Sequence, residues 1–143
     1  IGAVTVAKAA DPSIKVIGVQ AEGAKSFYLS WKRGELISTG RADTIAEGLA
    51  TSRAYELPFK ILRDKLDDVV LVSDDEIKLA MRMLLEVEGQ AVEPSGAAAL
   101  AAAIKVKERL VGKKVIVMVT GGNVNPSLVR EIIENPPVAR SNS

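Results

Sequence analysis

The chain has 143 residues, 48% of them hydrophobic and 26% charged, as in an ordinary globular domain. It contains no Cys and no His, which excludes disulfides, zinc knuckles, a thiol nucleophile and any site built on imidazole. A net charge of +1 gives no general attraction to nucleic acid, and no apolar run approaches the roughly 20 residues of a membrane helix. We therefore expect neither nucleic acid nor membrane as a partner.

The first half of the sequence alternates helical and strand patterns. An Ala- and Val-rich helix is predicted over 1–10, and a buried strand over 15–19, where the residues are largely β-branched. A helix over 23–33 ends at Gly34. Residues 34–55 carry three glycines with weak periodicity, which predicts a loop with at most a short helical turn, and a short helix follows over 57–66.

The second half has clearer periodicity. A buried strand over 69–72 precedes a Ser73–Glu76 pair spaced as a capping box, and the apolar spacing behind it predicts an amphipathic helix over 77–88. The remaining predicted elements are an Ala-rich helix capped by Ser95 and running to about 110, a third buried strand over 115–119, and a last helix that begins at Asn125-Pro126 and ends before Pro136.

This order of elements predicts an α/β fold of three layers, with a mostly parallel sheet and helices on both faces. Three strands are few for an independent domain of this kind, so we expect part of the sheet to lie outside the chain. The start without Met is consistent with a processed or truncated chain, and residues 136–143 are predicted to be a tail or linker.

Several polar positions lie next to predicted strands and helices. The acidic pairs Asp67-Asp68 and Asp74-Asp75 are interpreted as capping carboxylates rather than metal ligands, because negative charge is favourable at a helix N-terminus. The stretch Thr120-Gly121-Gly122-Asn123 follows a predicted strand, where open α/β sheets bind ligands, and its glycines allow close backbone approach. The stretch Glu93-Pro94-Ser95-Gly96-Ala97 places a lone carboxylate before a helix. Taken alone, each stretch also fits an ordinary turn or cap.

Five stretches together resemble the pyridoxal-phosphate enzymes of the tryptophan-synthase-β-like fold, specifically the threonine dehydratase and serine racemase group. They occur in the order found in that family and cover residues 1 to about 134. They are Ile17-Gly18-Val19, Thr44-Ile45-Ala46-Glu47-Gly48, Asp67-Asp68-Val69-Val70-Leu71-Val72, Glu93-Pro94-Ser95-Gly96-Ala97 and Thr120-Gly121-Gly122-Asn123. The resemblance implies that residues 1–135 are the C-terminal portion of a catalytic domain and that the parent protein uses pyridoxal phosphate.

The resemblance also implies roles for individual residues. Thr120 falls where the family places a hydroxyl against the pyridine nitrogen of the cofactor, and Glu93 would lie beside the ring. Gly48 would bring backbone near the ring and substrate, while Gly121 and Gly122 would keep the wall of the site flat. Because a neutral hydroxyl cannot hold the nitrogen protonated as a carboxylate would, it tempers the ring as an electron sink, which suits β-elimination.

Some family features are missing from the sequence. The Ser-Phe-Lys-x-Arg-Gly stretch with the Schiff-base lysine and the glycine run that binds the cofactor phosphate do not occur, so no catalytic residue is assigned. We expect the chain alone to be inactive and not to retain the cofactor. Where some members bind a divalent cation through Glu and Asp, this sequence has Gln20 and Ser26, whose neutral oxygens are poor ligands. We therefore predict no metal site.

The resemblance favours a piece of a threonine dehydratase, which converts L-threonine to 2-oxobutanoate and ammonia and can convert L-serine to pyruvate. Serine racemase, or another β-eliminating relative, is the alternative within the family. A non-catalytic α/β binding module is the alternative of another class. For the parent protein we expect a homo-oligomer in the cytoplasm and a role in amino-acid metabolism such as isoleucine biosynthesis.

Overall fold

The computed structural model describes residues 1–135. Along these residues lie two strands, β1 (Ile17–Ala21) and β2 (Asp68–Val72), and short 3-10 turns at Glu22–Ala24 and Glu47–Leu49. The helices are α1 (Gly2–Ala10), α2 (Ser26–Arg33), α3 (Glu56–Leu62), α4 (Asp74–Glu88), α5 (Pro94–Lys105), α6 (Lys107–Leu110) and α7 (Pro126–Glu134). No helix among them is long and apolar enough to cross a membrane. The predicted tail or linker over 136–143 lies outside the described residues.

The sheet pairs β1 and β2 in parallel, with the register running from Ile17 opposite Asp68 to Ala21 opposite Val72. Parallel strands need a long crossover connection, and here α2 and α3 lie within it. Helix α5 packs on both strands, and α4 packs on α5. The predicted α/β fold with a parallel sheet is confirmed.

The core lies where α4 and α5 meet the sheet. Ile77 of α4, Ala97 of α5 and Val72 of β2 are all fully buried there. The small side chains of α5 let the helices and strands approach closely. Burial of the Ile77 side chain alone contributes roughly 2–3 kcal/mol of stabilisation.

The third predicted strand, over 115–119, is wrong for the described residues, where the sheet contains only β1 and β2. In this segment Ile116 is 89% exposed and Met118 is 58% exposed. A run of β-branched residues favours an extended backbone, but a strand also needs a neighbouring strand to take its N–H and C=O groups. The described residues supply no such neighbour for the segment.

Local signals at the helix ends are accurate in two places. The capping box is confirmed, because Ser73 Oγ accepts from the Glu76 N–H at 3.2 Å and Glu76 Oε2 accepts from the Ser73 N–H at 2.7 Å. The Asn125 cap is also confirmed, since its Oδ1 accepts from the Ser127 N–H at 2.9 Å.

Helix α5 differs from its prediction at both ends. Its N-cap is Glu93 and not Ser95, because Pro94, which has no N–H to leave unpaired, occupies the first helical position. The helix ends at Lys105 rather than near 110, and the short α6 follows after Val106.

Candidate functional site

A close contact between Gly121 and Glu93 forms the centre of the site. Gly121 has a φ of 73°, in the left-handed region, and a Cβ at this position would overlap the Glu93 carboxyl group. The Glu93 N–H donates to the Gly121 carbonyl at 3.1 Å. A side chain at 121 would therefore have to displace Glu93, which explains why this position needs glycine.

The residue before it, Thr120, is held by a second close contact. Its carbonyl group lies against the Gly96 Cα, in the space that a Cβ at position 96 would fill. Sequence reasoning quoted Gly96 within a motif but gave it no role. The available signal was a glycine in the first turn of a helix. Because glycine is unfavourable for helix formation, its presence there indicates a packing requirement.

Ser95 connects Glu93 to Gly48. Its hydroxyl donates to Glu93 Oε1 at 2.7 Å. A Cβ on Gly48 would lie 2.8 Å from Ser95 Oγ and 3.0 Å from Ser95 Cβ, closer than side chains normally pack. One continuous set of contacts thus runs from Gly48 through Ser95 and Glu93 to Gly121.

The structure therefore brings together Gly48, Glu93 and the Thr120-Gly121 pair, which come from three separate parts of the sequence. Gly122 stands at the margin, because a Cβ there would meet only the Ala91 carbonyl oxygen, at 3.6 Å. Sequence reasoning missed Ser95 as a site residue, since a serine near a helix start reads as a cap.

The Glu93 carboxylate lies at the N-terminus of α5. The Glu93 backbone carbonyl accepts from the N–H groups of Gly96 and Ala97, at 3.0 and 3.1 Å, as the first bonds of the helix. The helix dipole favours a negative charge at this end. The Ser95 hydrogen bond then selects one orientation of the Glu93 carboxylate, which lies beside the exposed backbone of Gly121.

An open cleft of about 390 Å³ reaches Gly48 along the outer edge of β1. Most of its lining is apolar and comes from α1, β1 and the segment around Gly48, with Met118 also in contact with it. Gly48 therefore lies on the wall of this cleft.

The two positions predicted not to bind metal are both used within the protein. Gln20 Oε1 accepts from the Tyr28 N–H at 2.8 Å, and Ser26 Oγ donates to the Thr51 carbonyl at 3.0 Å. Among residues 1–135, no cluster of three or more Asp or Glu side chains could hold a metal ion. The absence of a metal site in the parent protein stays a prediction.

A family model for pyridoxal-phosphate dependent enzymes matches residues 1–121. The chain belongs to this family. An L-threo-3-hydroxyaspartate ammonia-lyase of Saccharomyces cerevisiae is 36% identical over 87% of this chain and 38% of its own length. A catabolic L-threonine dehydratase of Escherichia coli is 35% identical over 92% of this chain and 40% of its own length. The maize serine racemase structure superposes with a TM-score of 0.82 at 34% identity, over 93% of this chain and 43% of that chain.

The chain spans about two-fifths of the length of these curated relatives. The resemblance to pyridoxal-phosphate enzymes of the threonine dehydratase and serine racemase group is confirmed, as is the tryptophan-synthase-β-like fold. The family depends on pyridoxal phosphate. The roles of Thr120, Gly121, Gly122, Glu93 and Gly48 toward that cofactor stay predictions.

The residues present fit a flat aromatic cofactor of this pyridoxal-phosphate family. A Cβ on Gly48 would run into Ser95, and a Cβ on Gly121 would run into Glu93. Only backbone therefore forms the wall at these two positions. The exposed Thr120 directly precedes Gly121 and can offer a hydroxyl at the end of that wall. Glu93, held by Ser95, presents its carboxyl group against Gly121.

Proposed function

We propose that this chain is the C-terminal portion of the catalytic domain of a pyridoxal-phosphate-dependent ammonia-lyase. The net reaction is conversion of L-threonine to 2-oxobutanoate and ammonia, with L-serine to pyruvate as the shorter analogue. The observation that carries the proposal is the Gly48–Ser95–Glu93–Gly121 contact set beside Thr120, in a chain from this family. The relatives named as a threonine dehydratase and a hydroxyaspartate ammonia-lyase support elimination as the chemistry.

Each site residue has a defined task in this proposal. Bound pyridoxal phosphate supplies the electron sink for loss of a proton from the amino-acid α-carbon. The Thr120 hydroxyl holds the pyridine nitrogen by a neutral hydrogen bond, and Gly48 and Gly121 keep the ring plane free of side chains. Glu93 presents a carboxylate beside the ring, oriented by Ser95.

The chain alone is proposed to be inactive. The 143 residues contain neither the Ser-Phe-Lys-x-Arg-Gly stretch nor the glycine run that the family uses for the cofactor. The test is to mix the 143-residue chain with pyridoxal phosphate and record the absorbance of an imine. A stoichiometric imine signal that survives gel filtration would contradict this part of the proposal.

The main test uses the full-length protein that carries this chain, loaded with pyridoxal phosphate and given L-threonine. We expect this protein to form keto acid, and Thr120→Ser to keep that activity because the hydroxyl is retained. Thr120→Val should lower the activity by about tenfold or more, since one hydrogen bond to the ring is lost. A folded, cofactor-loaded protein that forms neither keto acid from L-threonine or L-serine nor D-serine from L-serine would favour the non-catalytic module.

Racemisation is the second candidate, because the maize structure that superposes on this chain is a serine racemase. Chiral chromatography of the products formed from L-serine separates the two reactions. D-serine as the main product would replace the ammonia-lyase proposal, whereas pyruvate as the main product would support it. A sedimentation measurement on the same preparation tests the proposed homo-oligomer.

A further inference from the structure

Asp74 is the first residue of α4, yet its carboxylate does not cap that helix. Ser73 and Glu76 already close the capping box by their own two hydrogen bonds. Both carboxylate oxygens of Asp74 instead accept from a segment 29 and 30 residues earlier in the chain. Oδ1 accepts from the Thr44 hydroxyl at 2.6 Å, and Oδ2 accepts from the Ile45 N–H at 3.1 Å. The carboxylate therefore joins α4 to the loop that leads to the site.

Thr44 extends this attachment along the loop. Its Oγ1 also accepts from the Ala46 N–H at 3.1 Å, so the hydroxyl lies between the Asp74 carboxylate and the loop backbone. Ala46 is itself fully buried in the core. Three successive residues are thus fixed before the chain enters the 3-10 turn over Glu47–Leu49.

Gly48 lies in that turn, two residues beyond the buried Ala46. The turn is closed by the Leu49 N–H, which donates to the Ala46 carbonyl at 2.8 Å, so Gly48 has little freedom relative to Ala46. On its other side Gly48 touches Ser95, which holds Glu93. The distance between the Gly48 backbone and Glu93 is therefore set by one anchor on α4 and one contact on α5.

We propose that Asp74 is a positioning residue, which fixes the Gly48 loop through Thr44 and Ile45 and so sets the width of the cofactor-facing site. The inference rests on the proposed function only in that Gly48 borders the cofactor. Hydrogen bonds to an ionised carboxylate are the stronger kind, which suits a fixed anchor rather than a mobile lid.

The test compares variants of the full-length protein that carries this chain. Thr44→Val keeps the shape of the side chain but removes the hydroxyl, Thr44→Ser keeps the hydroxyl, and Asp74→Asn removes the charge. Thr39→Val is the matched control, because the Thr39 hydroxyl also donates to loop carbonyls, of Arg41 and Ser52, at 2.9 and 3.1 Å. Thermal melts of all four proteins identify any variant that does not fold, and Thr44→Val, being isosteric, still tests the proposal if Asp74→Asn fails to fold.

The first readout is amide hydrogen exchange of residues 45–49 in the cofactor-free protein. The second is the dissociation constant of pyridoxal phosphate. The third is the measurement of kcat and KM as separate values for each variant. Loss of a charge-assisted hydrogen bond should raise exchange and weaken cofactor binding by about tenfold in Thr44→Val and Asp74→Asn. Thr44→Ser should restore both values, and Thr39→Val should change neither.

The outcomes separate this inference from the proposed function. Unchanged exchange in Thr44→Val and Asp74→Asn would overturn the anchor. Faster exchange with unchanged cofactor affinity, while Gly48→Ala weakens that affinity, would overturn the positioning role and leave the proposed function standing. If Gly48→Ala also leaves cofactor affinity unchanged, the proposed role of Gly48 fails and this inference fails with it.

Discussion

Strand β2 and the 115–119 segment have nearly the same kind of sequence and very different surroundings. Val69, Val70 and Val72 of β2 are buried, and β2 pairs with β1 along its whole length. Val115, Ile116, Met118 and Val119 are exposed, and their segment belongs to no described sheet. An apolar β-branched run therefore marks a segment that is able to pair, while the presence of a partner edge decides whether it does.

The two segments also differ in how they are attached to the fold. The residue before β2, Asp67, accepts from the Lys8 and Lys15 ammonium groups at 2.7 and 3.0 Å and from the Val16 N–H at 2.8 Å. It does not cap a helix, so the capping interpretation of Asp67 is wrong. The 115–119 segment instead meets the core at its end, where the Thr120 carbonyl lies against Gly96.

The largest expected effect comes from changing that end contact. Gly96→Ala places a Cβ on the Thr120 carbonyl, so either the Thr120 backbone or α5 must move, and we expect a loss of about 3 kcal/mol in the free energy of unfolding. Urea denaturation measures the loss. Gly122→Ala is the control, because its Cβ would make only an ordinary contact at 3.6 Å. Equal stability of the two variants would contradict the close packing at Gly96.

The second prediction compares the two apolar runs directly. Val72→Ala removes methyl groups from a fully buried position, and we expect a loss of roughly 2 kcal/mol. Ile116→Ala changes a side chain that is 89% exposed, so its effect on the free energy of unfolding should stay within about 0.5 kcal/mol. A large loss on Ile116→Ala in this chain would mean that the 115–119 segment is packed after all.

The third prediction tests the anchor of β2 by pH. Hydrogen bonds from Lys8 and then from the Val16 N–H hold the pKa of Asp67 well below its ordinary value of 3.8. The unfolded state then binds more protons as the pH falls, so the stabilisation is complete above 3.8 and is lost in more acidic solution.

Asp67→Asn should accordingly lower the free energy of unfolding by about 1 kcal/mol near neutral pH. The loss should become progressively smaller as the pH falls below the ordinary Asp pKa of 3.8. Denaturation curves across that range measure the difference. Asp64→Asn is the control, since the Asp64 side chain is 79% exposed and pairs only with its exposed neighbour Arg63 among the ion pairs of the described residues. A constant difference between wild type and Asp67→Asn at every pH would count against the anchor.

The fourth prediction concerns association and has the smallest effect on stability. An unpaired apolar segment with exposed Ile116 and Met118 can pair with another copy, so we expect the 143-residue chain to self-associate. Ile116→Lys should lower the weight-average mass in sedimentation without changing the free energy of unfolding. Val87→Lys on α4, where Val87 is 74% exposed, is the control. A wild-type chain that sediments as a clean monomer would refute the prediction.

Much of the local structure could be predicted because its signals close within a few residues. The Ser73–Glu76 box and the Asn125 cap each join residues two or three positions apart, and both are present. The predicted Ser95 cap of α5 is wrong for an equally local reason. Pro94 occupies the first helical position, so Glu93 is the N-cap. The five-stretch resemblance went further and identified the family, but it did so without geometry.

The sequence by itself determined most of the helices, two of the strands and the family, and it predicted a set of site residues carried by motifs. Only the tertiary structure decided that the 115–119 run stays unpaired among the described residues, and that Ser95, Gly96 and Asp74 contact the segments that carry the candidate site. Asp74 and Thr44 are 30 residues apart, and no local pattern marks their hydrogen bond. The parallel crossover and the packing of α4 and α5 bring these residues together, and such long-range contacts depend on the whole fold rather than on neighbouring residues.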